Sequence, residues 1–205
     1  MIYSRIRLSG GQRVTAAVVI SLLLFDPLPL RAANDCPTAL TGKGSFVVER
    51  QPASKTEVFY GDGPTIRTVL RYQDRTLLET TLYEGLFELG RVDRGTKIEQ
   101  KPKTDLGKFF PLKPKQKIAA DFDVTMSGST KTKTVKLEYV GVQDYGLGEC
   151  TYSVLKLRRN ETWPIFYDDI DYYAPELKLV IAKEYREGNG RTTIIGYTRI
   201  SSVKP

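Results

Sequence analysis

The sequence predicts an all-β protein: a single domain of antiparallel strands, arranged as an open or half-closed barrel or as a sandwich, after a cleaved signal peptide. Three observations predict it. From Gly44 onward, short runs rich in β-branched and aromatic residues are separated by turn residues at regular spacing. No stretch after Phe25 keeps apolar residues at helical spacing for three turns. Between Ile118 and Gly141, apolar and polar residues alternate on both sides of a glycine turn, which is the period of a strand with one face in a core.

The chain opens on a targeting segment. Arg5, Arg7 and Arg13 precede an apolar run from Thr15 to Phe25, Asp26-Pro27 ends any helix, and Ala32-Ala33 offer small residues for cleavage. The run falls well short of the ~20 residues a membrane-spanning helix needs. Residues 1–32 are therefore expected to be a signal peptide and 33–205 the mature β domain, with cleavage after Ala32 favoured over Ala33 and no transmembrane span in the mature chain. Cys36 follows Asp35 where a lipidated cysteine follows a small residue, and the basic region holds no arginine pair. The expected location is the periplasm.

Export also bears on the cysteines. The chain has two, Cys36 and Cys150, and an oxidising compartment lets them pair. Closing so long a loop is worth ~4–5 kcal/mol at most in the chain-entropy model. Removing residues 1–32 takes away four arginines and one aspartate, which turns the formal +7 into +4. Neither that mild charge nor export suits nucleic acid.

The strands follow in order. Ser45–Arg50 and Thr56–Tyr60 come first, then the turn Gly61-Asp62-Gly63-Pro64. Next are Thr65–Tyr72, Thr76–Tyr83, Leu86–Val92 and Thr96–Gln100, with breaks at 73–75, 84–85 and 93–95. In the central hairpin Ala120, Phe122, Val124 and Met126 alternate with Asp121, Asp123, Thr125 and Ser127. After Gly128-Ser129, Val135, Leu137 and Tyr139 alternate with Thr134, Lys136 and Glu138. Acids on one strand and lysines on the other suit cross-strand pairing. Cys150–Arg159 reads as a strand, Asn160-Glu161 as a turn and Thr162–Tyr167 as a further run. Asp168 to Leu177 reads as an acidic, aromatic corner at the entrance to a closing hairpin, whose runs Lys178–Glu187 and Arg191–Ile200 are joined at Gly188-Asn189-Gly190.

Candidate chemistry is sparse. The chain has no histidine, which removes Ser-His-Asp and Cys-His catalysis and His-based zinc sites. Ser153–Lys156 and Ser201–Lys204 have the Ser-x-x-Lys spacing of helical acyltransferases, but in a strand that spacing sends the two side chains to opposite faces. Asp168, Asp169, Asp171 and Glu176 are candidate calcium oxygens without EF-hand spacing, and acids at such a corner are more commonly solvated. Asp121, Asp123 and the corner supply carboxylates for a glycosidase whose separation the sequence leaves open. No metal and no cofactor is expected.

The most distinctive stretch is basic. Lys97, Lys101, Lys103, Lys108, Lys113, Lys115 and Lys117 face only Glu99 and Asp105, a local charge of +5. Pro102, Pro111 and Pro114 stiffen it, and Phe109-Phe110 give it an apolar centre. The rings either tuck into the core or, with the lysines, hold an anionic partner. Trp163, Tyr167, Tyr172 and Tyr173 are candidates for one aromatic cluster at the closing corner, as a core edge or a cavity mouth.

Three motifs occur in order: Phe110-Pro111-Leu112-Lys113 before the central hairpin, Gly141-Val142-Gln143 leading to Gly148-Glu149-Cys150, and Tyr172-Tyr173-Ala174-Pro175-Glu176-Leu177. As a set, over Phe110 to Tyr197, they resemble an uncharacterised family of exported, β-rich bacterial proteins. Lys115 departs from the glycine usual there. The resemblance implies no catalytic residues. Its general look is similar to periplasmic lipoprotein-carrier folds, a curved antiparallel sheet around an apolar cavity. The expected function is a non-catalytic envelope protein binding an apolar or anionic component: a lipid, a lipoprotein or an anionic envelope polymer. A carboxylate-based hydrolase of such a polymer and a structural part of a surface assembly are the competing expectations.

Overall fold

The computed structural model describes residues 36–39, 45–50, 54–73, 75–163, 167–188 and 190–202, except the side chains of 167 and 168. The expected signal peptide, 1–32, lies outside them.

The fold is all-β, as expected: a single antiparallel sheet of thirteen strands. Six short strands come first: β1 Ser45–Arg50, β2 Ser54–Tyr60, β3 Thr65–Tyr72, β4 Arg75–Tyr83, β5 Phe87–Asp93 and β6 Thr96–Pro102. A loop with one 3-10 turn, Gly107–Phe109, leads into β7 Lys117–Met126. The long β8 Ser129–Leu147 and β9 Cys150–Glu161 follow, then β10 Tyr167–Ala174, β11 Leu179–Arg186, β12 Thr192–Gly196 and β13 Arg199–Ser202.

Each strand from β1 to β11 pairs with the next, and β13 returns to pair with β1. The sheet is not closed by strand pairing. Its two end strands are nevertheless consecutive in the chain, with only Tyr197 and Thr198 between them. Tyr197 N donates to Ile181 O at 2.9 Å on one margin, and Thr198 N donates to Glu49 O at 2.8 Å on the other. So short a step forces the sheet to curl until its margins meet at that point. An unclosed sheet whose margins meet in this way fits both expected arrangements, the open barrel and the sandwich.

Turn chemistry fixes the registers. Met126 pairs with Ser129 around Ser127-Gly128, whose φ values of 51° and 78° are those of a two-residue turn with both central residues left-handed. At Gly85 the reason for glycine is steric as well: its φ is +67°, and a Cβ there would run into the carbonyl of Lys178. The β4–β5 turn therefore lies against the β10–β11 turn. Gly85→Ala is expected to cost about 2–3 kcal/mol in urea denaturation. Gly95→Ala, with φ +88° and nothing near its Cβ, should cost about 1 kcal/mol.

Two hydrophobic cores share the sheet. The first gathers Phe46, Val48, Val58, Ile66, Tyr152 and Ile181 with their neighbours. The second gathers Phe87, Ile98, Phe109, Phe122, Leu137 and Leu157 with theirs. Strand β10 lies between them: Asp171, Tyr172, Tyr173 and Ala174 are all buried, so both its faces are covered. Tyr172 and Ala174 belong to the first core and Tyr173 to the second. Cys36 and Cys150 form the expected disulfide, with Cα atoms 5.7 Å apart across 114 positions, and both pack against the first core.

Several expected boundaries differ. Asn160-Glu161 is no turn: Asn160 pairs with Lys136 on one side and Asp168 on the other, and these two ladders carry β9 through it. Thr162 and Trp163 lie outside any strand, residues 164–166 are outside those described, and Tyr167 starts β10. The run Arg191–Ile200 divides into β12 and β13 because its halves serve opposite margins. The acidic corner is a strand rather than an entrance loop, and Asp169 and Asp171 are buried within it instead of solvated.

Candidate functional site

The β6–β7 loop is pinned from within. Lys103 N donates to Asp121 O at 2.8 Å, Asp105 Oδ1 accepts from Gly107 N at 3.0 Å, and Gln116 Nε2 donates to Phe109 O at 3.3 Å. Its two rings turn inward. Phe109 and Phe110 pack on Phe87 with centroids 6.3 and 6.2 Å away, and Phe110 meets Tyr83 at 5.8 Å. The charges of the stretch turn outward. Lys97 pairs with Glu99 at 2.5 Å, Lys103 with Asp123 at 3.6 Å and Lys117 with Glu138 at 3.1 Å. Lys108 lies 5.1 Å over the ring of Phe109. Lys101, Lys113 and Lys115 are exposed and have no ion pair among the described residues.

The loop separates two hollows. The larger, about 730 Å³, lies between residues 104–107 and strands β4 to β6. Leu89, Ile98 and Leu106 supply apolar walls; the charged lining is mixed, with Arg67, Arg91, Lys97 and Lys101 against Glu79, Glu99 and Asp105. Gly90, also on the lining, allows β5 and β6 a close approach: a Cβ there would sit 3.0 Å from Ile98 O. Two shielded polar atoms belong to its lining residues. Arg91 Nε and Gln100 Oε1 are both out of water and have no hydrogen-bond partner. The carboxylate nearest Arg91, that of Glu88, is 3.6 Å away at Nη1 and is also engaged by Gln100 Nε2 at 2.6 Å. A shielded guanidinium N–H left unpaired beside an apolar hollow is a place for an acceptor, and an anionic one pairs best. The smaller hollow, about 460 Å³, lies on the other side of the loop against Leu155, Tyr173 and Pro175.

The aromatic residues are divided rather than clustered. Tyr172 and Tyr173 go to different cores. Tyr172 packs on Tyr145 at 6.0 Å and donates to Glu184 Oε2 at 2.7 Å; Tyr173 donates to Glu84 O at 2.8 Å. Trp163 packs against the second core with Lys131 Nζ 5.6 Å over its ring, and the Tyr167 side chain is outside the described set. Successive residues of a strand point to opposite faces, which is why the pair 172–173 separates.

Sequence reasoning missed a buried charge network. Arg159 Nε meets Asp171 Oδ2 at 2.5 Å, Nη1 meets Glu161 Oε1 at 2.9 Å, and Nη2 donates to Leu86 O at 2.8 Å. Lys183 reaches Asp171 Oδ1 at 2.7 Å and Asp169 Oδ2 at 2.9 Å, while Lys133 holds Glu161 Oε2 at 3.1 Å. Burial alone would push the carboxyls of Asp171 and Glu161 up. The cations beside them outweigh it and leave both below the usual carboxylate range. Each guanidinium nitrogen of Arg159 has a partner within the protein, so the network fastens β9, β10 and β11 to the β4–β5 turn.

Asp169 and Asp171 are thus held by protein cations, and among the described residues no group of three or more metal-ligating side chains occurs. Asp121 accepts from Thr134 Oγ1 at 2.6 Å, and Asp123 accepts from Thr132 Oγ1 at 3.3 Å. Ser153 is exposed, and Lys156 pairs with Glu184 at 3.0 Å. No helix among the described residues is long and apolar enough to cross a membrane.

No protein-family model matches the chain, and no curated protein matches it. Solved structures with a distantly similar backbone include the hypothetical lipoprotein YmcC of Escherichia coli K12, at 11% identity and a TM-score of 0.45, covering 78% of this chain and 85% of that one. Another is a Bacteroides fragilis NCTC 9343 protein described as exported and as having a YmcC-like fold, at 10% identity and a TM-score of 0.40, covering 78% of this chain and 96% of that one.

Proposed function

We propose that this is an exported, non-catalytic binding protein of the periplasm, and that the 730 Å³ groove holds an anionic, partly apolar envelope component. The observation that carries the reading is the pairing of an apolar lining with the shielded, unpartnered Nε of Arg91. An acyl or similar chain lies along Leu89, Ile98 and Leu106, and its acidic end meets Arg91, with Lys101 adding charge at the lining. The volume suits a ligand of ordinary small-molecule size. The targeting segment and the oxidised cysteine pair support the location.

Titration with a dansyl-labelled fatty acid tests it. Leu89→Trp fills the groove and should weaken binding at least about tenfold, the equivalent of ~1.4 kcal/mol. Arg91→Gln removes the cation and should weaken the acid by a similar factor while leaving the corresponding neutral alcohol unchanged. Equal losses for acid and alcohol would remove Arg91 from the site.

A further inference from the structure

We infer that the other side of the same loop, with the bulge on β8, seats the protein on an anionic lipid surface. No residue lines both hollows, so this second site is independent of the ligand groove.

Register builds the apolar part. Val142 stands opposite Leu155, and Leu155 stands opposite Tyr173. Directly opposed residues share a face, so the three form one row across β8, β9 and β10. Leu155 and Tyr173 line the 460 Å³ hollow together with Pro111 and Leu112. Val142 extends the row outward and is 52% exposed; Val140, at the register shift between Tyr139 and Gly141, is 45% exposed. Such large aliphatics in water beside an apolar hollow form a patch rather than scattered exposure.

Charge selects the occupant. Lys113 and Lys115 follow directly on Leu112, are exposed, and have no ion pair among the described residues. The polar pair within the hollow, Lys178 and Glu84, is closed on itself at 2.9 Å. Asp144, exposed further along β8, bounds the patch on that side. A shallow apolar face rimmed by unpaired lysines matches acidic headgroups over an acyl interior: charge draws the surface in, and the valines enter it.

Co-sedimentation of the mature, disulfide-intact protein with vesicles tests this. Vesicles with about 30 mol % phosphatidylglycerol in phosphatidylcholine should bind it, pure phosphatidylcholine vesicles should not, and about 0.5 M salt should release it. Lys113→Glu with Lys115→Glu should lower partitioning more than ~tenfold. Val140→Asp with Val142→Asp should do the same, and Val142→Ser should give a smaller loss in the same direction. All four positions are exposed, and titration of the fatty acid should be unchanged in every variant, which separates this site from the groove. Failure of the wild type to bind acidic vesicles overturns the proposal. Loss with the lysine variant but not with either valine variant also overturns it, because adsorption is then electrostatic and does not use this face.

Discussion

Asp171→Ala is expected to lower the stability of the fold by about 3–5 kcal/mol, the cost of leaving a buried cation without its partner. Asp171 is fully buried, and its two oxygens take Arg159 and Lys183. Removing it leaves the buried Arg159 Nε without its carboxylate, with Glu161 as the one acid still on that guanidinium, and leaves Lys183 to Asp169 alone. The double variant Arg159→Met, Asp171→Leu should recover a large part of the loss, because apolar residues of similar volume commonly replace buried pairs without penalty. Urea unfolding monitored by circular dichroism measures both. A loss below about 1 kcal/mol for Asp171→Ala would mean that the network does not fasten the cores.

The same network sets an acid limit. The carboxyls of Asp171 and Glu161 lie below their unfolded values of about 3.9 and 4.3, so the folded state binds fewer protons than the unfolded one in that window. Their contribution is complete above about pH 5 and is lost as the pH falls through ~4 toward the folded values. Asp171→Ala should flatten that decline.

The second large effect is at the disulfide. Cys36→Ser is expected to cost up to ~4 kcal/mol and to lower the melting temperature by roughly 10 °C. The bridge closes 114 positions and ties the start of the fold to the entrance of β9. Tyr152 Oη donates to Pro37 O at 2.9 Å and Ala39 N to Glu176 O at 2.6 Å, so the segment after Cys36 is bound as well as bridged. Those bonds hold the segment in place after reduction, so the loss should stay near or below the chain-entropy figure. Cys150→Ser should match Cys36→Ser, the double variant should add little, and reduction of the wild type should reproduce all three.

What the sequence disclosed follows from where one face of a strand meets water. The β7–β8 hairpin alternates cleanly because Ile118, Ala120, Phe122 and Val124 face a core while Asp121 and Asp123 do not; the expected pattern departs from the observed one at Met126, which is exposed beside the turn. Strand β10 gave no such pattern. With both faces covered, Asp171 and Tyr172 are equally buried, and the acids read as a solvated corner because their partners Arg159 and Lys183 lie on other strands. The single run Arg191–Ile200 hid its division for a related reason: only the curl of the whole sheet places its halves on opposite margins.

The candidate groove was less legible. Of the basic stretch, Lys97 and Lys101 line it, while the residues that give it shape, Leu89, Gly90 and Arg91, come from β5, which carries no motif. One signal was present. Gly90 stands alone inside a strand, a position that marks a bulge or a close backbone approach, and the facing strand does shift register between Thr81 and Leu82. The long-range approach of residues 104–107 to β5, which closes the groove, has no local trace.

Native mass spectrometry of the protein recovered from cells without refolding tests the central claim most directly, because it asks what the groove carries as the protein leaves the cell. The account predicts a fraction of wild-type protein bearing an added mass that fragments as an anionic amphiphile, and loss of that species from Leu89→Trp prepared in the same way. An added mass retained undiminished in Leu89→Trp, or bare protein alone from both, would contradict it.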